Sequence, residues 1–218
     1  SGYLTLTYDY KRYFTLSLNG RFDASNKFGS RSNEKFLPVY SVSGRFDVKQ
    51  TLLIEITQVE MWNIRSSFGV TGNMLDNETP NLIIRQGVMD SYYGENVSTV
   101  AAFPNPNLRW EQTRQFNLDS DATLFSGRLM LEGGIWYKHT TDAFSTVNVS
   151  TVNGRRSYNM NNGTIDNRGY SIYIKGYPIY TQDWKLYLSA GYSYASNTVQ
   201  SGANENYTIN DYLNGTAI

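Results

Sequence analysis

Few residues in this chain can do covalent chemistry, and their placement argues against it. His139 is the single histidine and there is no cysteine. Zinc is ordinarily held by several His or Cys ligands, and a nucleophile needs a base that a third group orients; neither arrangement is indicated. Asp119 and Asp121 alternate along one extended segment, so they share a face and could share a cation. Polar residues lining a wet interior are the plainer reading. His139 stands at the end of an alternating stretch, where a rim position suits it better than the role of catalytic base. No catalytic group, metal or cofactor is therefore expected. With 19 basic and 19 acidic residues the net charge is zero, so no basic surface for nucleic acid is indicated.

The side chains fitted for recognition are aromatic and amide. Aromatic residues make up 15% of the chain, and 18 of them are tyrosines. A ring with a polar tip suits ligand contact and the boundary between membrane and water. Arg85, Tyr92 and Tyr93 fall in the longest polar connection, and Tyr158 and Asn161 in the next long one. These groups suit stacking on sugars or contacts with peptides, as loops on a rigid scaffold often provide. The plainer reading is that they pack loop against loop or bind a lid protein. Trp110 and Trp184 lie near the ends of extended stretches, where they would join an interfacial girdle. Trp136 falls on a polar face.

The elements that must carry these groups are strands. From Arg128 to Lys138, residues Leu129, Leu131, Gly133, Ile135 and Tyr137 share one face, and Arg128, Met130, Glu132, Gly134, Trp136 and Lys138 the other. Such alternation belongs to a strand whose two faces meet different surroundings. Similar stretches lie near 2–10, 13–22, 41–49, 61–70, 110–122, 165–177 and 184–196. Gln50–Glu60 reads as one helical turn or as a continued strand, and Asn197–Ile218 as a polar tail. Each stretch approaches the ~9–11 residues that cross a bilayer at a tilt, and no run approaches the ~18 apolar residues of a spanning helix.

Connection lengths sort by side. Lys11-Arg12, the turn at 124–127 and the turn near 178–183 are short, and that near 50–60 is intermediate. The connections 23–40, 71–108 and 141–164 are long. Outer-membrane barrels place short turns in the periplasm and long loops outside; a soluble sandwich has no reason to sort them so. The expected fold is all-β, an antiparallel transmembrane β-barrel segment of about eight strands.

Four motifs carry a family resemblance. Asn105-Pro-Asn-Leu-Arg-Trp-Glu111 leads into a strand, a short turn and a second strand ending Tyr137-Lys138. Arg21-Phe-Asp-Ala-Ser-Asn-Lys-Phe-Gly29, Ile64-Arg-Ser-Ser-Phe-Gly-Val-Thr-Gly-Asn73 and Asp166-Asn-Arg-Gly-Tyr170 occur around it in matching order and spacing, with Tyr170 where an acidic residue is usual. Together they resemble SusC/RagA-type TonB-dependent transporters. The resemblance implies a barrel of roughly 22 strands with a plugged lumen, of which residues 1–218 would form part of the second half. No plug-like or TonB-box-like segment is visible among them. It also implies a bacterial outer-membrane location and import of oligosaccharides or peptides. The partners it implies are a SusD-like surface lipoprotein, the TonB complex acting through a region outside this chain, and outer-membrane lipid. No enzymatic activity is expected. An independent eight-stranded barrel with an adhesive or structural role is the alternative, and an outer-membrane hydrolase is disfavoured because no acid–base or nucleophile grouping is visible.

Overall fold

The computed structural model describes residues 2–24, 36–73, 81–102, 104–105, 109–148 and 157–201. They form ten strands and one helical turn: β1 Gly2–Tyr10, β2 Phe14–Ala24, β3 Phe36–Asp47, α1 Val48–Thr51, β4 Val59–Asn73, β5 Ile83–Met89, β6 Asn96–Ala102, β7 Glu111–Leu124, β8 Leu129–Asn148, β9 Ser157–Tyr180 and β10 Lys185–Ser201. Eight make one antiparallel sheet in the order β1-β2-β3-β4-β7-β8-β9-β10, and β5 pairs with β6 alone. The sheet is open: β1 and β10 are its edges and do not pair with each other.

Register turns the alternation into two opposed faces. One row across the sheet runs Tyr8, Leu16, Gly44, Ser66, Leu118, Ile135, Tyr170, Tyr194. The adjacent row runs Asp9, Thr15, Arg45, Arg65, Asp119, Gly134, Ser171, Ser193. Leu6, Leu18, Phe68, Phe116, Ile135, Ile172 and Leu188 stand exposed on the first face. In water such an apolar face would be a liability; against lipid it is the stable arrangement, and the polar face then lines the lumen.

The short connections owe their tightness to left-handed backbone. Lys11 and Arg12 both have positive φ, 47° and 62°, and Tyr13 N–H donates to the Tyr10 carbonyl at 2.8 Å. Two such residues in succession give a turn whose twist matches that of the strands it joins. Phe125, Ser126 and Gly127 repeat the device between β7 and β8. The ambiguous stretch after β3 holds a single helical turn. Asp47 caps it, accepting from Gln50 N–H at 3.0 Å. Lys49 Nζ donates to the carbonyls of Leu53 at 2.8 Å and Ile56 at 2.5 Å, fixing the chain on its way to β4.

Three expectations change. The long connection at 71–108 contains the β5–β6 hairpin. The one at 141–164 is mostly strand, because β8 continues to Asn148 and β9 begins at Ser157. Polar and apolar residues are mixed there without a clear period, so alternation gave no signal. The tail begins later than expected, since β10 reaches Ser201; residues 202–218 lie outside the described residues.

Candidate functional site

The inner wall is a hydrogen-bonded polar surface. Arg45 donates from Nε and Nη2 to Asn63 Oδ1 at 3.1 and 3.0 Å, and Asn63 donates onward to Asp121 Oδ2 at 3.2 Å. Asn63 is only 4% exposed, so satisfying its amide matters. Arg65 pairs with Asp121 at 2.8 Å and Lys175 with Glu132 at 2.6 Å. Arg45 and Arg65 face each other in register, and the separate acceptors relieve that like-charge pair. A concavity of about 510 Å³ opens on this wall beside Arg65, Asp119, Asp121, Glu132 and Tyr173.

Large side chains here lie flat on neighbouring glycines. A Cβ at Gly169 would stand 2.6 Å from Cζ2 of Trp136, and one at Gly191 would collide with the Tyr173 ring. Trp136 and Tyr173 therefore cover the wall instead of projecting from it, which keeps the lumen free. Lys138 Nζ sits 5.6 Å from the Trp136 ring centroid, a cation–π distance.

The residues singled out from sequence fall in five places. Asp119 and Asp121 face the lumen. Asp121 is held by Arg65 and Asn63, while the Asp119 carboxylate lies over Gly134. Among the described residues no group of three or more His, Asp or Glu is placed to hold a metal. His139 lies on the outer face, with Nδ1 2.6 Å from Asp166 Oδ1; the Tyr137 hydroxyl donates to the same oxygen at 2.8 Å. Asp166 thus ties His139 and Tyr137 into one anchored cluster.

Arg85 is exposed on β5. Tyr92 and Tyr93 occupy the tip of the β5–β6 hairpin, 85% and 74% exposed, with ring centroids 4.9 Å apart in an edge-on pair. Asp90 builds the tip, its Oδ1 accepting from Tyr92 N–H at 2.7 Å and Tyr93 N–H at 3.2 Å. This is an Asx-type turn, in which a side chain replaces a backbone acceptor.

Tyr158 and Asn161 lie on β9, not in a loop. Asn161 is engaged: its Oδ1 accepts from Arg109 N–H at 3.2 Å, and its Nδ2 donates to the carbonyls of Arg109 at 2.9 Å and Asp142 at 3.0 Å. The amide thus stands in for a strand edge and clasps the described end of the Asn105–Glu111 motif. Asn105, 4% exposed, donates to the Asn159 carbonyl at 3.2 Å, and Arg109 pairs with Asp142 at 2.5 Å. Asp142 has φ 57° at a break in the β8–β9 register, where a bulge re-aims its side chain. Trp110 is half-buried beside this clasp, and Trp184 is 76% exposed in the turn before β10.

Asp142 and Asn159 were missed because nothing in their local sequence marks a bulge or a distant partner. Arg45 and Arg65 could have been found: strand parity alone puts them on the face of Asp119.

A family model described as TonB dependent receptor-like, beta-barrel, matches residues 1–217. Among curated relatives, TonB-dependent receptor P26 of Formosa agariphila is 28% identical over 167 residues, covering 76% of this chain and 17% of the relative. TonB-dependent receptor P39 of the same organism is 25% identical over 204 residues, covering 93% and 19%. A solved chain of the RagAB peptide transporter superposes with a TM-score of 0.80 at 25% identity, covering 92% of this chain and 22% of that one. A RagAB peptide importer structure in an open-open state gives a TM-score of 0.76 at 26% identity, covering 91% and 22%. The chain therefore spans about a fifth of the length of the proteins it matches.

Proposed function

The chain belongs to the TonB-dependent receptor-like β-barrel family, whose members are outer-membrane transporters and not enzymes, and from that premise we propose that it forms part of the barrel wall of an active importer of oligosaccharides or peptides. The observation that carries this reading is the two-faced sheet. Its outer face is apolar and exposed, its inner face is a polar network with aromatic rings laid flat, and its strand arrangement superposes on a RagAB chain over most of its length. A wall of this kind encloses a wide lumen, which eight strands alone would fill with side chains. The open sheet speaks against the independent small barrel.

In this proposal the long connections face outward. Arg85, Tyr92, Tyr93 and Tyr158 contact substrate or a SusD-like lipoprotein lid, and Asn161 acts by holding the motif that leads into β7. Energy comes from the TonB complex acting on a part of the protein outside these residues. Trp184 joins the interfacial girdle at the turn end. At the loop end Tyr137, Tyr170 and Tyr194 take the border position expected of Trp110, which stands beyond the charged Arg114.

The test is uptake by cells carrying the full-length protein. Labelled oligosaccharides or oligopeptides should accumulate, and accumulation should stop in a strain without TonB. Uptake that is indifferent to TonB would overturn the active-import reading. Stoichiometric co-purification of a lipoprotein encoded beside it would support the lid; its absence from intact complexes would remove that partner.

A further inference from the structure

The outer face carries a feature that the importer reading does not use. On three adjacent strands the apolar band gives way to charge at one height. On β7, Leu118 and Phe116 are followed by Arg114. On β8, Ile135 and Tyr137 are followed by His139. On β9, Ile172 and Tyr170 are followed by Arg168 and Asp166. Register places Arg114 opposite His139, His139 opposite Asp166, and Tyr137 opposite Arg168.

Among the described residues the carboxylate of this cluster is already engaged. Asp166 accepts from the Tyr137 hydroxyl, from His139 Nδ1 and from Gln200 Nε2. Its side chain is 16% exposed. Arg114 and Arg168 are both exposed, and among the described residues neither has an ion-pair or hydrogen-bond partner. Strand spacing and rise put the two positions roughly 12 Å apart. Two unpaired guanidiniums therefore stand on the lipid-facing side, one step beyond a tyrosine border, where headgroup phosphates lie. A guanidinium matches a phosphate with two parallel hydrogen bonds.

We propose that Arg114 and Arg168, on either side of the anchored His139, bind the phosphate of an anionic lipid headgroup in the outer leaflet. A lipid fits better than a free anion because the site continues into the apolar band. Phe116, Tyr137 and Tyr170 lie directly below the arginines, where acyl chains would pack. The proposal rests on the importer reading only for the orientation that puts the long connections outside.

The test measures phosphorylated lipid retained by the full-length protein after detergent exchange, read by native mass spectrometry. Wild type should retain it. The R114Q/R168Q double variant should retain roughly twenty-five-fold less, the product of about five-fold for each basic residue held near an anionic surface. The single variants, each expected at about five-fold, carry the same test if the double variant does not assemble. Heat-modifiable mobility on gels should be unchanged. A control pair, K11Q/R128Q, removes the same charge at the turn end and should leave retention intact. Equal retention in the double variant, or equal loss in the control pair, overturns the site. Vesicles of the phosphorylated lipid should raise the melting temperature of delipidated protein while inorganic phosphate alone should not; an equal rise with phosphate overturns the lipid assignment. Loss of TonB-dependent uptake with lipid retention intact would strike the importer reading and leave this one standing.

Discussion

From the turn end to Tyr137, β8 and β9 present apolar side chains on one face and polar ones on the other; beyond Thr140 the same two strands mix polar and apolar residues without a clear division between faces. In the first region lipid does the sorting. Leu131, Ile135, Ile172 and Ile174 face outward because hydrocarbon accepts them, and Glu132 and Lys175 face inward because they pair there at 2.6 Å. In the second region the residues show no such sorting. The ladder is instead broken at Asp142 and tied to Asn105 and Arg109 through Asn159, Asn161 and Asp142. One stretch of sheet is thus specified by its solvent, and the other by individual hydrogen bonds.

The largest way to break this contrast is to put a charge on the lipid side of the first region. Ile174→Arg should cost about 2–4 kcal/mol of folding stability near the bilayer midplane. On the same strand Ser171→Arg, on the lumen face and near Asp119, should cost under about 1 kcal/mol. Urea titration of the full-length protein in vesicles measures both. Equal costs would mean that the two faces do not see different surroundings.

Next in size is the clasp. Asn161→Ala removes three hydrogen bonds at a partly buried site, at about 1–3 kcal/mol. Because the clasp is local, the loss should appear as faster hydrogen exchange at Asn105, Arg109 and Trp110, with exchange in 129–137 unchanged. A global loss of protection would show that the extension and the spanning region fold as one unit. Asp142→Asn is smaller. It keeps a residue type that tolerates positive φ and gives up a half-exposed ion pair worth about 0–1 kcal/mol. Asp142→Ala adds left-handed strain of roughly 1–2 kcal/mol, so the two variants separate charge from backbone.

This contrast also explains what could be read from the sequence. Period-two alternation marks a strand only where the two faces differ in surroundings, so Leu129–Tyr137 was legible and Thr141–Asn148 was not. Turn chemistry was legible at Lys11-Arg12 through brevity alone, since neither residue is Gly or Asn. The β5–β6 hairpin was hidden because Asp90, not an Asn-Gly pair, makes its turn. Asn161 was singled out as an exposed amide; its actual partners, Arg109 and Asp142, lie far away in sequence and meet it only through strand register.

The smallest expected effect on stability falls on the hairpin tip, and it bears most directly on function. Tyr92 and Tyr93 touch each other edge-on and are otherwise open, so Tyr92→Ala with Tyr93→Ala should leave the melting temperature of the full-length protein unchanged. Aromatic side chains on an exposed tip, stacked among the described residues only on each other, are available to something outside the chain. If they stack on substrate, the double variant should raise the half-saturating concentration for uptake at unchanged maximal rate, because binding is lost before the transport step. If they seat a lid, the lipoprotein should dissociate while uptake at saturating substrate persists. Unchanged affinity together with an unchanged lid complex would return the two rings to loop packing. In that case this tip would resemble the Asn161 clasp, a structure that serves the fold, and would not be a surface that serves recognition.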